Sequence, residues 1–203
     1  MPSSDSALSA LADKDSSVLP EALAVAKTIQ DERYRASALN TLADKLPLEL
    51  LPEALAVART IQDEQYRASA LCALADKLPQ ILSEALVAAR AIHNQEYRTN
   101  ALSALADKLP PELLPEALVA AGTIHYQRYR SIALSALASG LSQMPNVELF
   151  PLWQDTLHEL SLRTRPNLLG DIEALILVIF ALSGEAATVE IARAIVDVAR
   201  WWK

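Results

Sequence analysis

Four Tyr-Arg pairs form the most regular polar feature of the chain: Tyr34-Arg35, Tyr66-Arg67, Tyr97-Arg98 and Tyr129-Arg130. A guanidinium fork bonds a carboxylate through two parallel contacts, so such a series can brace a fold or present a basic ladder to an acidic ligand. Bracing is the expectation. Each arginine would bond a carboxylate of its own or a neighbouring unit, with the Asp of the nearby Ala-Asp-Lys motif as first candidate. Arg165 extends the structural ladder to Arg35, Arg67, Arg98, Arg130 and Arg165. The tyrosines beside them are expected to pack, with their hydroxyls at the rim.

His93 and His125 hold equivalent places in adjacent copies of the same segment. A metal pair would need carboxylate or thiolate company and a spacing such as His-x-x-x-His on one helix. Neither is present, so both read as solvated surface histidines, and no metal or cofactor is expected. Cys72 aligns with Asn40, Ser103 and Ser135, one small residue in a slot that accepts several. No glycine-rich phosphate loop occurs, and no Ser-His-Asp or Cys-His set is suggested. Glu21 and its equivalents are explained by helix starts. A non-catalytic function follows as the expectation.

Variation between the copies points to binding instead. The first-helix ends read "KTIQDERY", "RTIQDEQY", "ARAIHNQEY" and "AGTIHYQRY". Core slots hold while this edge changes, so the candidate partner-binding rim is Lys27, Gln30, Arg59, Gln62, Arg90, His93, His125 and Tyr126. The bland alternative is drift of exposed residues.

The period of the sequence shows which helices carry these residues. A leucine opens each copy at Leu19, Leu51, Leu82 and Leu114, and the Arg lies sixteen residues on each time. Only the linker after "DK" changes, by one residue. Each unit of roughly 31–32 residues reads as two helices. Leu19, Ala22, Leu23, Ala26 and Ile29 make the stripe of the first helix; Tyr34, Ala38, Leu39, Leu42 and Leu46 make that of the second. Pro20 suits a first turn, and Asp31, Asp63 and Asn94 are placed to cap the second helices. Helices of about 13 residues are not stable alone, so the units must cover one another's apolar faces.

The resulting organisation is all-α: an α-solenoid of stacked antiparallel helix pairs in a right-handed superhelix. Residues 1–18 read as a partial helix, since "ALSALADK" at 7–14 repeats residues 101–108 and suggests natural sequence upstream. Four near-identical pairs follow at 19–50, 51–81, 82–113 and 114–144. Residues 145–184 form a diverged fifth pair, with Leu169 and Ile172 matched to Leu39 and Leu42 through Arg165. Its second helix is apolar nearly all round through Leu175–Leu182, hence expected to be buried on every side. Residues 185–203 read as a capping helix with Ile191, Ile195, Val198 and Trp202 on one face.

With "LPEAL", Tyr-Arg and "ALxxLADKLP" read together, the chain resembles the degenerate, tetratricopeptide- or HEAT-like α-solenoid repeats of bacterial STAND signalling NTPases of the NACHT and NB-ARC type. The tetratricopeptide unit itself is longer, and its Trp-Leu-Gly-Tyr pattern is missing here. The resemblance implies a sensor that binds a protein or peptide ligand and acts on an NTPase domain elsewhere on a longer chain. The rival reading is a stand-alone structural scaffold that assembles with itself. A net charge of −7 argues against a nucleic-acid backbone as partner. The longest apolar run, residues 174–182, is too short to span a bilayer. With one cysteine and no signal-peptide pattern, the expected location is cytoplasmic, with no membrane partner.

Overall fold

The computed structural model describes residues 18–201, the side chains of 186, 187, 195 and 197–201 excepted. Residues 1–17 of the expected N-terminal part-helix therefore lie outside the described residues. So do Trp202 and the side chains of Ile195 and Val198, which carry most of the expected capping face. The chain is all-α, with no strand among the described residues.

The chain divides into two compact units, 1–108 and 109–203. In the first lie α1 (Leu19–Thr28), α2 (Glu32–Ala43), α3 (Leu51–Arg59), α4 (Glu64–Leu74), α5 (Leu82–Ala91) and α6 (Gln95–Ala106). Helix α2 packs on α4 and α4 on α6, while α1, α3 and α5 lie against them. The second unit holds α7 (Leu114–Gly122), α8 (Gln127–Ser142), α9 (Asn146–Ser161), α10 (Arg165–Ala174) and α11 (Ile176–Trp201). There α8 packs on α7, α10 and α11, and α9 on α7.

Local chemistry explains the boundaries. Proline stands in the first turn of α1, α3 and α7, where its missing N–H costs no helical bond. Asp31, Asp63 and Asn94 each accept two backbone N–H bonds at the starts of α2, α4 and α6. In the fourth copy Tyr126 takes this place without a side-chain cap bond. The helices of the first unit are shorter than the sequence pattern predicts, whereas α8 and α9 run to 16 residues each. Helix α2 ends at Ala43, and a 3-10 turn (Leu48–Leu50) fills the linker after Pro47. Pro79–Ile81 and Pro111–Leu113 form matching turns.

Each unit has its own core. Leu23, Leu39, Leu42, Leu51, Leu71, Leu74, Leu86, Leu102 and Leu105 are closed to solvent in the first, as are Leu134 and Leu137 in the second. Burying one such side chain contributes about 1.5–3 kcal/mol before ordering costs. Buried Ala38, Ala54, Ala58, Ala70, Ala85 and Ala89 keep facing helices close, since larger side chains there would hold them apart.

Three expectations need correction. Tyr34, placed in the apolar stripe of the second helix, is 52% exposed and Tyr97 42%, while Tyr66 and Tyr129 are half-buried. Each sits in the first turn of its helix, next to the arginine, and beyond the leucine-lined interior.

Second, the apolar run at 175–182 is covered on one face. Leu175, Val178 and Ile179 are buried, whereas Ile176, Leu177 and Phe180 are 41%, 49% and 54% exposed. The 70° bend between Arg165–Ala174 and Ile176–Glu185 sets this run at an angle to α10. Gly184 breaks α11 as expected: its φ of 71° lies in the left-handed region that a residue with Cβ rarely adopts.

Third, Arg165 is not the ladder residue of the last pair. Arg35, Arg67, Arg98 and Arg130 are each fourth in their helices, but Arg165 is first in α10. Pro166 belongs in a first turn and so fixes the start one residue before itself. Counted from that start, Leu168 holds the ladder position. Asp171 and Leu175, both buried, match Ala38 and Leu42. Leu169 and Ile172, matched by sequence to the closed Leu39 and Leu42, are only half-buried.

Candidate functional site: a groove on the second helices

The repeated charges are largely consumed by the scaffold. Each ladder arginine reaches back to the carbonyl six residues earlier, in the turn that ends the first helix. Arg35 Nε donates to Ile29 O at 2.9 Å, Arg67 Nη1 to Ile61 O at 3.2 Å and Arg98 Nε to Ile92 O at 2.8 Å. Arg130 Nη1 donates to Ile124 O at 2.9 Å. Helix ends leave carbonyls unpaired and carry the negative end of the dipole, so a cation fits there. The common partner is thus a backbone turn rather than the Asp of the Ala-Asp-Lys motif.

That Asp serves the motif's own lysines. Lys108 Nζ lies 2.9 Å from the Asp76 carboxylate and donates to Cys72 O. Lys77 Nζ donates to Asp44 O and Leu46 O at 2.6 and 2.8 Å. On the opposite edge, the Glu32 carboxylate accepts the backbone N–H groups of Gln62 and Asp63 at 2.9 and 2.8 Å. These two bonds, Asp63 first, hold the Glu32 carboxyl below its ordinary range. Each ladder arginine ties the two helices of its copy, with Arg35 Nη1 also donating to Thr60 Oγ1 of the next at 3.0 Å; Lys77, Lys108 and Glu32 tie one copy to the next.

In the second unit Arg130 adds a carboxylate. Its Nε lies 2.8 Å from Asp171 Oδ2 and 3.0 Å from Oδ1, with both side chains closed to solvent. Asp171 has no counterpart in the sequence-predicted register. A helix start fixed at Arg165 would have placed it in the buried slot of Ala38.

The eight predicted rim residues are all exposed. Lys27, Gln30, Arg59, Gln62, Arg90 and His93 belong to the first unit, His125 and Tyr126 to the second. Arg59 is engaged by Glu84 through two contacts of 2.9 and 2.6 Å, which raises the guanidinium and lowers the carboxyl. Gln62 and Gln30 fold back onto the carbonyls of Thr60 and Thr28. Among the described residues, no cluster of three or more His, Cys, Asp or Glu side chains could hold a metal.

A concave feature of the first unit lies elsewhere. A groove of about 590 Å³ runs over α2, α4 and α6, lined by Asn40, Tyr66, Ser69, Tyr97, Asn100 and Lys108 among others. None of the eight rim residues lines it. Asn40 and Ser69 hydrogen-bond across α2 and α4 at 2.8 Å. Cys72 forms part of the floor, and burial pushes its thiol up to about 11. The groove mixes tyrosine rings with amide and hydroxyl groups, the mixture that accepts an amphipathic chain. A usable signal was present: two and five residues after each ladder Arg stand Ser37, Ser69, Asn100, Ile132 and Asn40, Cys72, Ser103, Ser135. Those positions vary in size and polarity although they flank the invariant Leu39, Leu71, Leu102 and Leu134.

The second unit has its own cavity, of about 490 Å³, between α7, α8 and α9. Its walls include Leu118, Leu134, Leu152 and Leu160, with Asp155, Glu159 and Arg163 as its charged lining. Arg163 Nη2 donates to Gly122 O at 2.6 Å. Burial, then the Arg130 guanidinium, push the Arg163 side chain below its ordinary value.

No helix among the described residues is long and apolar enough to cross a membrane. No family model, curated protein or solved structure matches the chain.

Proposed function

We propose that the chain is a non-catalytic helical-repeat module that binds an extended peptide or protein segment in the groove over α2, α4 and α6. The groove itself is the observation that carries this reading. Three parallel rows of second-helix side chains present rings for apolar contact and amides for the hydrogen bonds an extended backbone requires. The regular charges, Lys108 included, are spent on the scaffold and Asn40 bonds Ser69, so Tyr66, Tyr97 and Asn100 are the groove side chains available to a partner.

The wider frame of the proposal is an α-solenoid of ~31–32-residue helix pairs in a right-handed superhelix, acting in the cytoplasm as the sensor part of a STAND-like NTPase. The sequence resemblance supports that frame. Its test on the groove is a selection of displayed random peptides against the intact chain. Peptides so obtained should lose at least about tenfold in affinity, or 1.4 kcal/mol, on Tyr97→Ala. Binders indifferent to Tyr97→Ala and Asn100→Ala would remove the groove from the account.

A second reading, a self-assembling scaffold, draws on the exposed Ile176, Leu177 and Phe180 of α11. Apolar clusters of this kind mark contact surfaces. It requires a molar mass in solution that rises with concentration and falls back on Phe180→Ser.

A further inference from the structure

The residue eight places after each opening leucine is Lys27, Arg59, Arg90 and finally Gly122. Arg59 shows what a basic side chain does there: its guanidinium grips Glu84 of the next first helix at 2.9 and 2.6 Å. Gly122 leaves that volume open, since a Cβ added to it meets nothing within 4 Å. The cavity of about 490 Å³ lies beside it, within the range of small-molecule sites.

At the place of Glu84 the last pair has Pro151, but two other carboxylates stand on the same helix. Asp155 and Glu159, one helical turn apart on α9, line the cavity and are exposed. Neither takes part in a hydrogen bond or ion pair among the described residues. Arg163 acts on Glu159 through space, but its Nη2 is held by the Gly122 carbonyl. The charged lining of one cation and two anions leaves one negative charge in excess. The walls of Leu118, Leu134, Leu152 and Leu160 are apolar.

We propose that this cavity binds a small organic cation: an apolar stem of several carbons ending in an ammonium or guanidinium group, seated where the basic side chain of position 122 is missing. The stem covers the leucine walls and the head lies between Asp155 and Glu159. The site is independent of the groove in the first unit. A free carboxylate ligand is disfavoured by the net negative charge of the lining, although the buried Nε of Arg163 is without a partner, and an alcohol gains only the apolar contact.

The test is calorimetry on the intact chain with octylguanidinium, octylamine, octanol and octanoate. Both cations should bind saturably, at least about tenfold tighter than octanol, with octanoate weakest. Asp155→Asn with Glu159→Gln should bring the cations down to the level of octanol. Gly122→Arg should abolish binding by filling the cavity, and Gly122→Ala should retain it. Equal binding of octylamine and octanol would overturn the proposal, as would no saturation by either cation, or undiminished binding to the Gly122→Arg chain. The comparison among ligands uses the unaltered protein, so it stands even where a variant folds poorly.

Discussion

Arg130 and Asp171 meet at 2.8 Å with both side chains wholly closed to solvent, joining α8 to α10 inside the second unit. Arg130 spends Nη1 on the carbonyls of Ile124 and His125 and Nε on the carboxylate, while its buried Nη2 finds no partner. Such a pair stabilises less than its geometry suggests, because both ions are taken out of water. Removing one partner is far worse, since it strands the other charge in the interior.

Asp171→Ala should therefore cost about 3–5 kcal/mol in urea unfolding. The double change Arg130→Met with Asp171→Leu should cost much less, because no charge is left buried. A loss below about 1 kcal/mol for Asp171→Ala would mean that water reaches the pair.

Arg67 tests the open end of the ladder. It is half-buried and bonds the carbonyls of Ile61 and Gln62 at 3.2 and 3.3 Å, where water can replace it. Arg67→Ala should cost about 1–2 kcal/mol in the same measurement. A loss as large as that of Asp171→Ala would show that the arginines are equivalent despite their different surroundings.

Glu32 should make the first unit acid-sensitive. Its folded carboxyl lies below the ordinary value of 4.5, so its contribution is complete above that value and is lost as pH falls through the lower folded value. Melting of the native chain and of Glu32→Gln should differ at pH 7 and converge as pH drops below 4.5. A constant gap down to strong acid would contradict the bonds to Gln62 and Asp63.

Cys72 should be a poor nucleophile. With its thiol raised from 9.0 to about 11, its thiolate population near pH 8 is smaller on the order of a hundredfold than that of an ordinary cysteine. Burial favours the neutral thiol, so its contribution to stability is full below 9.0 and fades as pH rises through about 11. Alkylation rates followed from pH 7 upward should rise without a plateau near pH 9. A plateau there would place the thiol in water.

The bend after α10 predicts opposite outcomes for neighbouring leucines. Leu175→Ala, at a fully buried site, should cost about 2–5 kcal/mol. Leu177→Ser, at a half-exposed one, should change stability little and reduce binding of a hydrophobic dye. Equal losses would mean the run is covered on both sides after all.

The all-α class, the helix starts and most of the core were legible because they depend on neighbours in the chain. Asp31, Asp63 and Asn94 cap within three residues of themselves, and the leucine stripes follow the helical period. The partners of the arginines were not, since a guanidinium can bond a carboxylate or a carbonyl and the geometry of the fold chooses between them. The last pair was misregistered because a sixteen-residue spacing outweighed Pro166, which sets where α10 begins. The groove and the cavity depend on three helices meeting. Gly122, Asp155 and Glu159 carry no local mark of the space between them, although the break in the Lys27, Arg59, Arg90 series was visible.

Amide hydrogen exchange of the intact chain with and without a selected peptide tests the binding account most directly. Protection confined to residues 65–73 and 97–108, lost together with affinity on Tyr97→Ala, is the expected result. Protection along the edge of Lys27, Gln30, Arg59, Gln62, Arg90 and His93, with the groove unchanged, would contradict it and return the binding surface to the first-helix rim.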